Sequence, residues 1–372
     1  MDSEKLSFVD ALRGIAILMV ICIHHGQNFR DLPTLLFVSG FGRMGVQLFF
    51  VASAYTLCRS MDSRPGEPVR NFYVRRYFRI APLYYVGIAL YVGVAYVQAH
   101  FGGTNRLADY SAVNVAANIA FVHGFVPAAN DSVVHGGWSI ATEMLFYAAF
   151  PLLFMMFRRF EDWPKFPWLA VGAAVLVNCL IQLTIIYVLK RSGIANNSFL
   201  YYSILNQAPV FLIGMLLYFS KPRAASLARD VILMVLFGVA SFACMNWPGH
   251  IGAMLSPTLA GLSFAFLFMI AKHFIRDRGA FARIGEVSYS MYIFHFVFAW
   301  WMTGFLIEFC SRLSAPPLLV YAGSLFLTVG LTYWIARFTK WAVEDRFIAI
   351  GRNIIRSVTL MKPAPASVAV PK

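Results

Sequence analysis

The stretch Asp10–Phe29, DALRGIAILMVICIHHGQNF, decides the fold class. Its apolar run is long enough for a transmembrane helix, which needs about 20 residues to cross a hydrocarbon core of about 30 Å. Yet it carries Asp10, Arg13, His24 and His25. Ionisable side chains inside a membrane are costly, and they mark functional sites by default. A helix turns about 100° per residue, so Arg13 and His24, eleven steps apart, differ in azimuth by about 20°. Asp10 lies about 60° from Arg13 on one side and His25 about 120° away on the other. Asp10, Arg13 and His24 therefore share a stripe that His25 does not. At 1.5 Å per residue, His24 stands about 16 Å beyond Arg13, in the outer half of the bilayer. The stripe is expected to face a common passage. Arg13 can alternatively snorkel to headgroups, and His25 suits a structural or interfacial role.

Working outward, the same character fills the chain. Of 372 residues, 59% are hydrophobic and 13% charged, against about 25% charged in soluble domains. Apolar spans are expected at 8–28, 43–58, 80–99, 138–157, 167–189, 199–219, 230–247, 251–271, 287–309 and 317–339. The fold class is thus all-α: a polytopic integral membrane protein of about ten transmembrane helices. The net charge of +14 is unevenly placed. With the N-terminus inside, 25 of the 31 Lys and Arg residues fall on the inner side and 6 on the outer. That asymmetry is a topology signal, placing both termini in the cytoplasm. It makes membrane lipid the partner of the basic charge and excludes nucleic acid.

No cleavable signal peptide is expected. Residues 1–357 form one membrane domain, and 358–372 form a disordered cytoplasmic tail rich in Pro and Ala. The outer loop 100–137 holds an apolar centre too short to span, suited to a re-entrant or interfacial helix. Residues 59–79 read as an Arg-rich inner loop. Cys22, Cys58, Cys179, Cys244 and Cys310 lie in or beside apolar spans without CxxC spacing, so neither a disulfide framework nor a metal site is expected.

Further polar groups join the opening stripe. Glu143, five residues after Trp138, counts to about 7 Å inside the outer boundary, close to the depth of His24. A carboxylate there favours a protonated imidazole while burial opposes it, and such a histidine can take a proton from a hydroxyl. In RRYFRIAPLYY, Arg76 and Arg79 are neighbours on one helical turn, with Arg75 beside Arg79. They suit a phosphate-bearing ligand, or are ordinary cytoplasmic basic charge. In GEVSYSMYIFHF, His295 lies near mid-membrane, preceded by Ser288 and Tyr292; catalysis and a structural hydrogen bond remain open for it. Asn178, Gln182, Asn206 and Gln207 read as helix-gluing amides.

These motifs, in order, resemble those of the integral-membrane acyltransferase 3 family of bacterial carbohydrate O-acyltransferases. The matching pieces are DALRGIAILMVICIHH, GRMGVQLFFVASAY, FYVRRYFRIAPLYY, WSIATEMLFY, GEVSYSMYIFHF and WAVEDRF. The resemblance implies that Arg13 and His24 are the essential pair of the first helix and that Arg76 and Arg79 meet acyl-CoA, helped by Arg75. It implies that Trp138 and Glu143 form a Trp-Ser-x-x-x-Glu pattern, and that His295 ends a late Ser-Tyr…His motif. Trp138, His295, Ser288 and Asp10 are then substrate-site candidates. The implied activity is an O-acetyltransferase of the bacterial inner membrane. It would carry an acyl group, acetyl by default, from cytoplasmic acetyl-CoA to a glycan or glycolipid hydroxyl. His24 would be general base or acyl carrier, Glu143 would orient it, and no metal would take part. VASAY stands where the family more commonly has Val-Leu-Ser-Gly-Phe, and the chain is expected to resemble the stand-alone members rather than those with an appended hydrolase-like domain. A transporter or flippase of a glycan or lipid precursor would also need polar groups on a membrane path.

Overall fold

The computed structural model describes residues 6–100, 107–190, 198–220, 226–247 and 250–360. Among them every regular element is helical, and ten helices are long and apolar enough to cross a membrane. The principal helices are α1 (Ser7–Gly26), α2 (Gly45–Asp62), α3 (Val69–His100), α4 (Trp138–Arg159) and α5 (Phe166–Leu183). They continue with α6 (Ile204–Phe219), α7 (Leu227–Asn246), α8 (His250–Phe274), α9 (Ser288–Phe296), α10 (Pro317–Thr339) and α11 (Asp345–Leu360). The ten expected spans each correspond to one of the ten candidate crossings.

Enclosure is uneven. α1 and α6 are among the most enclosed helices, whereas α7 leaves most of its apolar side chains at the surface. An apolar surface of that kind is what lipid contact requires. α1 is held against a short helix, Ala280–Gly285, by backbone-to-backbone contact. A Cβ on Gly14 would stand 2.0 Å from the Phe281 carbonyl oxygen, and one on Gly285 only 1.7 Å from that of Asp10. This contact fixes the turn of α1 that bears Arg13. The expected amide glue is present: Asn178 Nδ2 donates to Asn206 Oδ1 at 2.8 Å, Gln182 Nε2 to Asn178 Oδ1 at 2.7 Å and Gln47 Nε2 to Gln207 Oε1 at 3.1 Å. Each bond of this sort contributes on average about 0.6 kcal/mol inside a membrane.

The segment 59–79 corrects the expectation of a long inner loop. α2 continues to Asp62 and α3 begins at Val69, so Arg75, Arg76 and Arg79 are helical. Hydropathy alone hides this, because arginines end an apolar window without ending a helix. α3 is 32 residues long, or about 48 Å at the helical rise, and therefore projects past a core of about 30 Å. α11 projects too. A π-turn, Lys340–Glu344, joins it to α10, so that Pro317–Val358 is one 42-residue helical span. α3 and α11 pack together at this basic end of the bundle. In the connection 107–137, the helix Ala112–Ile119 is too short to span, as expected, and Ser111 caps it by accepting the Asn114 N–H at 3.3 Å. Of the proline-rich tail, 361–372 lie outside the described residues; α11 runs to Leu360.

Candidate active site

Between α1, α2, α3, α4, α9 and α11 lies a chamber of about 450 Å³. Arg13, Arg75, Arg76, Arg79, Glu143 and Ser288 all line it. Arg13, one turn above Asp10, donates from Nη2 to Thr56 Oγ1 at 3.1 Å, and its Nη1 is 3.5 Å from Asp10 Oδ1. Asp10 stays behind this arginine and does not itself line the chamber. Glu143 accepts a hydrogen bond from Ser53 Oγ at 2.6 Å and another from the Tyr147 hydroxyl. Glu143 and Tyr147 are four apart on α4, so they share a face.

The three arginines of α3 are engaged differently. Arg75 makes a forked pair with Glu67 at 2.5 and 2.7 Å. Burial opposes the Glu67 charge, but the Arg75 guanidinium and the Asn71 amide outweigh it and hold this carboxyl below its usual range. Arg79 pairs with Glu344 at 2.9 Å, and Ser290 donates to the other oxygen of that carboxylate. Glu344 is only 1% exposed. Arg76 lies over the rings of Phe72 and Tyr147, 5.7 and 6.0 Å from their centroids, and its Nε has no hydrogen-bond partner.

At its far end the chamber meets Phe49, Ser139 and Tyr292. Ser139 Oγ donates to the Tyr292 hydroxyl at 2.8 Å, and that hydroxyl donates to the Gly136 carbonyl at 3.0 Å. His24 and His295 lie beyond Tyr292. The His24 ring is 4.3 Å from Phe296, 5.4 Å from His295 and 5.9 Å from Trp300, centroid to centroid. Among the described residues its Nδ1 has only a long contact, 3.4 Å, with Gln27 Oε1. His295 is buried, and its Nδ1 donates to the Tyr292 carbonyl at 2.8 Å. The tautomer that this bond selects places the free lone pair on Nε2, which has no hydrogen-bond partner among the described residues.

Three expectations are corrected by this geometry. Glu143 belongs to the Arg13 chamber, where Ser53 and Tyr147 hold it, while the ring neighbours of His24 are His295, Phe296 and Trp300. The expected depth of Glu143 counts from Trp138 as the membrane boundary; Trp138 is instead buried, stacked on Tyr202 at 4.3 Å. Secondly, Trp138 does not line the chamber. Thirdly, His24 is absent from the chamber lining, so Arg13 and His24 do not share this cavity despite their common azimuth. They are eleven positions apart on α1, and Tyr292, which lines the chamber, is in ring contact with His295. His25 is buried with Nε2 2.8 Å from Ser324 Oγ, a packing position. Ser53, Tyr147 and Glu344 escaped sequence reasoning as site residues. The spacing of Tyr147 from Glu143 and the WAVEDRF motif were the available signals. Among the described residues no group of His, Cys, Asp and Glu side chains suits a metal ion.

The family model described as an acyltransferase domain, acyltransferase 3, matches residues 6–337. The chain belongs to the acyltransferase 3 family. The chain is 26% identical to BcsY of Komagataeibacter xylinus, provisionally named a membrane-bound transacylase, over 64% of this chain and 60% of that one. It is 27% identical to the acyltransferase MdmB of Streptomyces mycarofaciens over 47% and 46% of the two chains. With the O-acetyltransferase OatA of Staphylococcus aureus it shares 22% identity over 91% of its own length and 57% of that protein. The chain thus spans about half to three-fifths of the length of these curated relatives. No solved structure matches it.

Proposed function

We propose that this acyltransferase moves an acetyl group from acetyl-CoA, bound at the basic end, to a hydroxyl of an envelope or exported glycan or glycolipid at the opposite end. In this reading the protein is a multi-pass component of a bacterial inner membrane, with the basic end in the cytoplasm. The observation that carries it is the polarity of the site: an arginine-lined chamber at one end and a histidine pair beyond it. A relative named as an O-acetyltransferase supports acetyl as the group carried.

The donor's phosphates meet Arg76 and Arg79, with Arg75 beside them. Guanidinium suits phosphate because its planar donors grip oxygens in pairs. The thin acyl-bearing arm then passes Arg13 and the Tyr292 cluster toward His24. His24 takes the proton of the acceptor hydroxyl as its oxygen attacks the thioester carbonyl. The C–S bond breaks, and the CoA thiolate leaves with a proton from the imidazolium. In the carrier variant His24 holds the acyl group between two such displacements. His295, in ring contact with His24, orients that imidazole. Glu143 organises the chamber through Ser53 and Tyr147. General-base help of this kind is worth about 10²–10⁴ in rate; holding two substrates in line supplies much of the remainder.

The test is reconstitution in liposomes with acetyl-CoA on one side and candidate glycans on the other. Free CoA and the mass of the glycan are read together. Release of CoA matched by acetylated glycan supports the reading. Acetylation by a well-folded His24→Ala protein at the wild-type rate would refute the role of His24. Glycan movement across the membrane without any CoA release would replace transfer by transport.

A further inference from the structure

α11 lies beyond residue 337, where the family match ends. Nevertheless it supplies two side chains to the chamber, Ile348 and Arg352. They are four residues apart and therefore lie on one face. Two anchors hold that face in place. Glu344, immediately before α11, is fixed by Arg79 and Ser290. Gly351, immediately before Arg352, sits against Phe78 of α3 so closely that a Cβ there would be 3.0 Å from the Phe78 Cβ.

The chamber is lined by six arginines and one carboxylate, Glu143. Most of these cations already have polar partners. Arg13 has Asp10 and Thr56, Arg64 donates to the Ser60 carbonyl and hydroxyl at 2.8 Å, Arg75 has Glu67, and Arg79 has Glu344. Arg76 has the aromatic faces of Phe72 and Tyr147. Arg352 has neither a hydrogen bond nor an ion pair among the described residues, and it is exposed at the mouth of the chamber. A guanidinium placed over a cavity with no protein anion to meet is arranged for an anion from outside.

From this we infer that Arg352 is a donor-binding residue: it takes the phosphate-bearing nucleotide portion of the acyl donor as that donor enters the chamber. The inference rests on the donor reading above and deepens it. It divides the work among the arginines. Arg75 and Arg79 also brace the wall through their carboxylate partners, while Arg76 and Arg352 offer guanidinium surface that no protein carboxylate occupies. It also makes α11 part of the substrate site rather than a trailing helix.

The test compares two donors on purified full-length protein, acetyl-CoA and acetyl-pantetheine, which lacks the nucleotide and its phosphates. The readout is the ratio of kcat/KM for the first to kcat/KM for the second. Loss of one charge-assisted contact predicts a fall in that ratio of about tenfold for Arg352→Ala. Arg352→Glu lowers it further, and Arg352→Lys recovers part of it by keeping the charge. Arg356→Ala, on the same helix but outside the chamber lining, keeps the wild-type ratio and controls for folding of α11. An unchanged ratio in both Arg352→Ala and Arg352→Glu overturns the assignment while leaving acetyl-CoA as donor. Wild-type protein that turns over acetyl-pantetheine but discriminates against acetyl-CoA overturns both.

Discussion

The two ends of the site are built on opposite principles. At the basic end, nearly every charge is met by another protein group: Arg75 by Glu67, Arg79 by Glu344, Glu143 by Ser53 and Tyr147. At the other end, among the described residues, His24 has one long hydrogen-bond contact and His295 keeps an unpaired nitrogen. A network with satisfied partners gives fixed shape, because removing either partner strands the other in a low-dielectric setting. An imidazole with few bonds gives chemistry, because its lone pair is available. In the function proposed above, binding and reaction fall at different ends, with Tyr292 between them.

The sharpest way to break this contrast is at His24. His24→Ala is expected to lower acetyl transfer by about 10²–10⁴-fold while protein level and thermal stability in membranes stay close to wild type. An equal loss of stability would make it a packing residue like His25. Next comes the ion pair of the basic end. Arg79→Ala leaves Glu344 buried without its cation and is expected to cost about 3–5 kcal/mol of stability. The double variant Arg79→Ala/Glu344→Ala should recover part of that loss. Melting in detergent measures both, and a stable single variant would mean that the pair is ornamental.

A smaller effect tests the boundary between the ends. Tyr292→Phe removes a hydroxyl that donates to Gly136 and accepts from Ser139, at an expected cost of about 1 kcal/mol in stability. If the ring is the partition, transfer changes more than CoA binding does; parallel changes in the two would place the partition elsewhere. The smallest effect is on the Arg75–Glu67 clasp. The Glu67 carboxyl is held below its usual value of 4.5, so its stabilisation is present above that value and lost as the pH falls through the lower, folded-state value. A melting series from pH 6 to pH 3 should show an extra decline in wild type, absent from Glu67→Gln, of about 1 kcal/mol or less for a half-buried pair that water still screens. Matching curves for the two proteins would remove the clasp from the account.

Much of this was legible in the sequence, for a physical reason. Hydrocarbon imposes a length and a composition on every span, so all ten could be read from hydropathy. The chamber residues Arg13, Arg75, Arg76, Arg79, Glu143 and Ser288 were recognisable because ionisable and polar groups stand out in apolar surroundings. Depth was the less readable quantity. Trp138 begins a helix and is buried against Tyr202, so counting from it does not fix the depth of Glu143. Partners across helices were hidden as well. Ser53 meets Glu143 across 90 positions of sequence, and Glu344 reaches Arg79 from the far end of the chain. Azimuth on α1 correctly set His25 apart, but a shared azimuth did not give Arg13 and His24 a shared cavity.

The π-turn Lys340–Glu344 has a consequence for how the last helix can vary. Helical phase accumulates along a chain, so shortening this turn by one residue would rotate all that follows by about 100°. Ile348 and Arg352 would swing off the chamber with their identities unchanged. Evolution can therefore retune the entrance by a single-codon deletion that substitutes no residue of the chamber wall.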